Sequence, residues 1–173
     1  MSRLSQQIGV GLVEVLVSVL LLSVAVLGFS ALQLRAISAT EESLIRTQAL
    51  SVVRGLAENM RANPLQMQAY EDAINAAGSD TTIDDSCQEL DDSCSSTQIA
   101  VKESKNAVAQ LNQYDIGMKV TACPGTKDFS EVKCVIAAWG DTIAAMSDSD
   151  GKACAKADGT YKSGSTCVIV EAY

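Results

Sequence analysis

Residues 9–34 read GVGLVEVLVSVLLLSVAVLGFSALQL, and this stretch decides how the chain is organised. Between residues 10 and 34 the only charged side chain is that of Glu14. At a rise of about 1.5 Å per residue, a helix of this length crosses a bilayer. A charge inside such a helix is costly and usually has a partner. The sequence therefore predicts a membrane-spanning helix with a carboxylate near its start that needs a cation.

The segment in front of the apolar run offers a candidate partner. The leader MSRLSQQIG is polar, carries Arg3, which favours a cytoplasmic start, and ends at Gly9. A cut after Gly9 exposes the α-amine of Val10, one helical turn from Glu14 and on the same face. The two groups can pair within one chain, or between neighbouring chains staggered along a filament. The alternative is that Glu14 is an acid at the headgroup level, favoured there by the helix dipole.

The segment GVGLVE, residues 9–14, resembles the class III signal of type IV prepilins and type II secretion pseudopilins. The resemblance implies cleavage after Gly9 by prepilin peptidase, methylation of the new N-terminus at Val10, and an assembly role for Glu14 as the fifth mature residue. Val10 stands where the family usually has Phe or Met, and Gly11 where it usually has Thr or Ser. The expected partners are other minor and major pilins, prepilin peptidase and the inner membrane.

The helix is predicted to continue beyond the membrane. Apolar residues recur at spacings of three and four along one face, at Ile45, Ala49, Val52, Val53, Leu56 and Met60. Pro64 disfavours a helical Asn63 and supplies the end of the helix. The closing segment ENMRANP, residues 58–64, is similar to the PilV-type minor pilins, the type IV pilus modification proteins. This resemblance covers residues 9–64.

The second half of the chain predicts a small α+β head. Apolar positions in residues 97–113 indicate a helix, and the alternation at Ile116, Met118 and Val120 is typical of a half-buried strand. Residues 132–139 and 166–173 are rich in β-branched and aromatic side chains and predict two more strands. The fold class is therefore α+β and type IV pilin-like, with a long N-terminal helix, transmembrane in its first half and amphipathic in its second, packed on a small antiparallel sheet.

This reading divides the chain into four segments. The leader peptide is residues 1–9, the transmembrane and assembly helix residues 10–37, the amphipathic half of the helix residues 38–63, and the globular periplasmic head residues 64–173. The chain is expected to sit first in the inner membrane with a single span and a periplasmic head, and then in a cell-surface pilus.

Six cysteines follow the apolar segment: Cys87, Cys94, Cys123, Cys134, Cys154 and Cys167. Their even number and the absence of any Cys-x-x-Cys pair favour disulfides in an oxidising compartment over a zinc site or a redox enzyme. Six cysteines allow 15 connectivities. The simplest pairs sequence neighbours, joining Cys87 with Cys94, Cys123 with Cys134, and Cys154 with Cys167.

The composition argues against several classes of function. The 173 residues include no histidine, which removes the commonest general base and the histidine metal sites. A net charge of −8 gives no support to direct nucleic-acid binding. The segment SDSDGK, residues 147–152, lacks the full ligand set of a calcium loop, so a solvated turn is favoured, although calcium at Asp148 and Asp150 stays open. No enzymatic activity, cofactor or metal is expected.

The resemblance implies a minor pilin that is processed and incorporated in the tip or priming complex of a type IV pilus. Roles in adhesion, twitching motility or DNA uptake follow from the resemblance. One alternative is a minor pseudopilin of a type II secretion system, which shares the N-terminal signal. Another is a membrane-anchored periplasmic binding domain that never polymerises. The sequence leaves open which pilins it contacts, whether it binds an external receptor, and how the cysteines pair.

Overall fold

The computed structural model describes residues 11–77, 94–126 and 131–172. Its helical elements are α1 (Leu12–Ala62), a 3-10 turn (Pro64–Gln66), α2 (Met67–Ala77) and α3 (Ser96–Asn112). The strands are β1 (Gly117–Ala122), β2 (Lys133–Ala138), β3 (Ile143–Met146), β4 (Ala153–Ala155) and β5 (Cys167–Ala172). The chain divides into two compact units, Met1–Ser43 and Leu44–Tyr173.

In the described residues, the first unit is the beginning of α1. Leu, Val and Ala dominate this part of the helix, and no proline occurs before Pro64. The helix therefore has no backbone interruption until Ala62, and Asn63 leaves the helical region with φ −128° and ψ 59°. Pro64 then opens the 3-10 turn, as its fixed φ and missing N–H favour. The predicted end of the helix is confirmed.

The second unit contains a three-stranded antiparallel sheet in the order β1-β2-β5. Val120 lies opposite Val135, and Val135 lies opposite Val170, so one face of the sheet carries a continuous row of valines. The three strands predicted from the sequence are these three. With the long helix they confirm the α+β, pilin-like fold class.

One face of the sheet packs against the helices. The core there includes Val120, Val135 and Val168 from the sheet and Leu111 from α3. The predicted stripe on α1 is confirmed, since Ala49, Val53, Leu56 and Met60 are buried while Ile45 and Val52 are partly buried against the same core. At about 25 cal/mol per Å² of apolar area, each large side chain buried there contributes roughly 1.5–3 kcal/mol.

Helix α2 is an element that the sequence analysis did not predict. Tyr70 and Ile74 lie one turn apart on it, and both are completely buried in the same core. Met67, in the first turn, packs against the same core, so the apolar residues follow helical spacing. The signal was present but short. Pro64 predicts the end of a helix, but in the structure it marks a boundary between two helical segments.

A second small layer covers the other face of the sheet. Strands β3 and β4 form a separate parallel pair, which the sequence does not predict. With them, Ile136, Ala138 and Cys154 form a second buried cluster. Strand β2 is consequently buried at all six positions, between the helices and this layer.

Candidate functional site

The first unit exposes apolar side chains all around the helix. Every Leu, Val, Ile and Phe between Leu12 and Ile37 leaves 51% or more of its surface exposed. This segment is part of the one described helix that is long and apolar enough to cross a membrane, with a mean hydropathy of 2.6 in its most apolar window. A helix that is apolar on every face needs an apolar environment around it. The segment is therefore the candidate site for membrane insertion and for contact with other helices.

The hydroxyl groups of this segment are satisfied within the helix itself. Each hydroxyl between residues 11 and 40 donates a hydrogen bond to the carbonyl oxygen four residues earlier, at distances of 2.7–3.1 Å. The five residues are Ser18, Ser23, Ser30, Ser38 and Thr40. A hydroxyl bonded in this way can enter hydrocarbon without leaving an unpaired donor. The serines are thus compatible with a membrane-spanning helix.

Glu14 lies in the first turn of α1 and is exposed. Its N–H donates to the carbonyl oxygen of Gly11 at 2.9 Å, and its own carbonyl oxygen accepts from the Ser18 hydroxyl at 2.7 Å. Among the described residues, no cation forms an ion pair with its carboxylate. The other two residues of the predicted processing site, Gly9 and Val10, lie outside the described residues.

The segment ENMRANP attaches the end of α1 to the head. Met60 is completely buried. The guanidinium of Arg61 donates to the carbonyl oxygen of Glu171 on β5 at 3.0 Å and pairs with Glu58 at 2.5 Å. The amide of Asn63 donates to the carbonyl oxygen of Ser96 at the start of α3, also at 3.0 Å. The segment ENMRANP therefore has a structural role, because it connects α1 to both β5 and α3 of the head.

Two sets of partly buried polar contacts lie in the head, one around Tyr70 and one around Lys133. Tyr70 donates a hydrogen bond to the carboxylate of Glu103, which joins α2 to α3. Burial raises the pKa of Tyr70 well above its ordinary value, and the bond to Glu103 and its negative charge raise it further. Lys133 on β2 lies 2.6 Å from Glu71 and 2.5 Å from Glu131. Burial lowers the pKa of Lys133, but the hydrogen bonds and charges of these carboxylates outweigh it, so the net shift is upward.

Two disulfides fix the second face of the sheet. The Cys123–Cys134 bond joins the residue after β1 to β2, and the Cys154–Cys167 bond joins β4 to β5. Both are pairs of sequence neighbours, as the simplest predicted connectivity has them. Cys94 is half-buried directly before α3. The proposed pairing of Cys94 with Cys87 lies outside the described residues, since Cys87 is not among them.

The turn at residues 147–152 uses its carboxylates to hold its own backbone. Asp150 accepts a hydrogen bond from the N–H of Lys152 at 2.9 Å, and Asp148 accepts from the N–H of Ala157 at 3.2 Å. Lys162 donates to the carbonyl oxygen of Asp150 from across the loop. In the described ranges, no group of three or more His, Cys, Asp or Glu residues is placed to hold a metal ion.

The sequence analysis missed the residues that fasten the head together. Asn75 and Arg61 bond to backbone atoms of β1 and β5, and Tyr161 accepts a hydrogen bond from the N–H of Ile169. Arg61 and Asn75 contact residues 110 and 45 positions away in the sequence, and Tyr161 contacts a residue eight positions away. For Asn75 and Tyr161 no motif or spacing signals such a contact.

Comparison with known families agrees with this architecture. Residues 31–103 match the family model described as "Tt1218-like: Type IV pilin Tt1218". The chain is similar to type IV pilins. The match includes the second half of α1, the segment ENMRANP and the beginning of α3, which is less than half of the 173 residues. It begins after the GVGLVE segment and therefore does not bear on the processing signal. No curated protein and no solved structure gives a significant match.

Proposed function

We propose that this chain is a minor pilin of the type IV pilus, of the PilV type. The observation that carries the proposal is the apolar surface of residues 12–37, which has no packing partner in the described part of the chain. A family match to a type IV pilin supports a pilin-type role and implies association with other pilins. In a pilus such a helix packs among the helices of neighbouring subunits, which supply the apolar surroundings that it lacks here.

In this proposal, residues 1–9 are removed by prepilin peptidase, and Val10 becomes the methylated N-terminus. Residues 10–37 hold the protein in the inner membrane before assembly, and residues 38–63 carry the head at residues 64–173. The protein then enters the tip or priming complex of the pilus and contributes to adhesion, twitching motility or DNA uptake. The chain has a structural role and no catalytic one.

A type II secretion pseudopilin is the main competing function, because it shares the N-terminal signal. The segment ENMRANP favours the pilus, since it resembles the PilV-type proteins. The second competing function is an anchored binding domain that does not polymerise. It does not explain the spacing of Gly9 and Glu14.

A single fractionation experiment tests the proposal. Cells expressing the wild-type chain or Gly9→Val are sheared, and the chain is detected in the pilus fraction and in the membranes, with its mass measured. We expect the wild type in the sheared fraction, shortened by nine residues, and the variant uncut in the membrane. Absence of the wild type from sheared pili, together with loss of protein secretion in a deletion strain, would instead establish the pseudopilin.

A further inference from the structure

A cleft of about 440 Å³ opens on the face of the sheet opposite the helices. Its lining residues include Pro124, Met146, Asp158, Tyr161, Ile169 and Glu171, and the Cys123–Cys134 disulfide forms part of it. All of these residues belong to the second unit. We call this space the Tyr161 cleft.

The aromatic wall of the cleft is held at two points. The backbone of Tyr161 forms an isolated bridge with Ala155 at the end of β4, and its hydroxyl accepts a hydrogen bond from the N–H of Ile169 at 2.9 Å. The side chain nevertheless leaves about half of its surface exposed, since the residue is 51% accessible. Tyr161 is therefore a fixed ring available to a ligand, which loses little freedom when a ligand stacks on it.

The part of the cleft formed by Gly159 and Pro124 is also fixed. Gly159 has a φ of +87°, and a Cβ at this position would lie 3.4 Å from Cγ of Pro124. The loop and the proline are thus in van der Waals contact, and the positive φ at this position favours glycine over any residue with a side chain. With the disulfide beside Pro124, the cleft has a preformed shape.

The charges at the cleft have one sign. Asp158 and Glu171 are its charged lining residues, and none of the described residues that line it is a cation. Two hydrogen bonds from Thr160 hold the pKa of Asp158 below its usual range, so this carboxylate stays ionised. The bond from the backbone N–H of Thr160 has the larger effect, and the bond from its side chain adds to it. The charge of Lys156 lowers the pKa further, but Lys156 does not line the cleft. No ion pair neutralises Glu171 within the described ranges.

We propose that the Tyr161 cleft binds an arginine side chain of a partner polypeptide. A planar guanidinium stacks on an aromatic ring and donates several hydrogen bonds to carboxylates at the same time. The two carboxylates repel phosphates and acidic sugars, and the ring favours a flat cation over a hydrated metal ion. The proposal goes beyond the pilin role, because binding at this cleft does not require assembly into a filament.

Titration of the full chain tests the proposal. The ¹⁵N-labelled protein in detergent micelles is titrated with N-acetyl-arginine amide, with its uncharged isostere N-acetyl-citrulline amide, and with methyl glucoside. We expect saturable shifts of the backbone amides of Thr160, Tyr161 and Ile169 with the arginine probe, weakened by added salt. The citrulline probe should bind at least about fivefold more weakly, since it lacks the charge that the ring and carboxylates attract.

Three variants complete the test. Glu171→Gln and Tyr161→Ala should each weaken binding of the arginine probe severalfold, whereas Asp141→Asn removes an equal charge from an exposed turn outside the cleft and should leave binding unchanged. If Tyr161→Ala does not fold, Glu171→Gln decides alone, because its side chain is exposed. Equal binding of the arginine and citrulline probes, shifts with methyl glucoside only, or no shifts at the cleft would each overturn the proposal.

Discussion

The side-chain amide of Asn75 pairs with the backbone of Val120 through two hydrogen bonds. Its Nδ2 donates to the carbonyl oxygen at 2.9 Å, and its Oδ1 accepts from the N–H at 3.0 Å. These are the two bonds that a neighbouring strand would otherwise supply to β1, which is an edge strand of the sheet. Asn75 therefore attaches α2 to the sheet and blocks the edge against pairing with another chain.

Asn75→Ala should lower the free energy of unfolding by about 1–2 kcal/mol, because both outward-facing backbone groups of Val120 lose their partner and Val120 is completely buried. Asn75→Asp should be at least as harmful, since a carboxylate cannot donate to the carbonyl oxygen. Urea unfolding measures the change. Asn59→Ala, an exposed asparagine on α1, is the control and should alter stability much less. Equal losses in the two alanine variants would show that the paired bonds contribute nothing particular.

The disulfide between β4 and β5 should hold the second layer on the sheet. It closes a loop with a sequence separation of 13, for which a loss of about 2–3 kcal/mol is expected on removal. We expect the double variant Cys154→Ala, Cys167→Ala to exchange amide hydrogens faster in β3 and β4 than in β1 and β2. The matched control is Cys123→Ala, Cys134→Ala, with a separation of 11 but no link to β4. Uniform acceleration in both would mean that the disulfides act on the whole head alike.

Much of this fold could be predicted, because its longer elements carry apolar patterns that repeat often enough in the sequence to be recognised. A helical period is visible in the stripe from Ile45 to Met60, and a strand period in the alternation around Val120. Pro64 marks where the long helix ends. Strands β3 and β4 could not be predicted in this way, since four and three residues rich in alanine are too short to show one. The roles of Asn75 and Tyr161 depend on contacts across 45 and eight residues of chain, and neither carries a motif.

Part of the candidate functional residues could likewise be predicted from the sequence, and part could not. Glu14 and the apolar run are visible in the sequence because a lone acid in such a segment is chemically conspicuous. The Tyr161 cleft is not, since Pro124, Asp158 and Glu171 approach one another only after the sheet has formed.

Tyr70 should make the head sensitive to alkaline pH. Its folded-state pKa is raised, so in the folded state the phenol keeps a proton that the unfolded chain loses above its ordinary pKa of about 10. This contribution to stability is complete below about pH 10 and is lost as the pH rises through the folded-state pKa. Urea unfolding between about pH 9 and 11 should show a smaller decline for Tyr70→Phe than for the wild type.

In Tyr70→Phe, part of the alkaline decline in stability should remain. The pKa of Lys133 is also raised in the folded state, so its loss of a proton lowers stability in the same pH range. Tyr114→Phe is the control, since it removes the hydroxyl of a tyrosine that is 42% exposed rather than buried. Parallel curves for wild type and Tyr70→Phe would mean that the buried phenol ionises as easily as an unfolded one.

The last prediction concerns Glu14 and the cation that it requires. In the proposed filament its carboxylate is surrounded by apolar helices, where an unpaired charge costs several kcal/mol. The methylated amine of Val10 on a neighbouring subunit is the partner that offsets this cost. Glu14→Ala should therefore enter the membrane and undergo cleavage, yet be depleted from sheared pili by about tenfold or more, since losing the pair leaves the neighbour's amine buried alone. Glu14→Gln should be nearly as defective, because the amide keeps the shape without the charge.

Glu41→Gln removes an exposed carboxylate from the same helix and should incorporate normally. Wild-type amounts of both Glu14 variants in the sheared fraction would show that Glu14 is only a helix-start acid at the membrane surface.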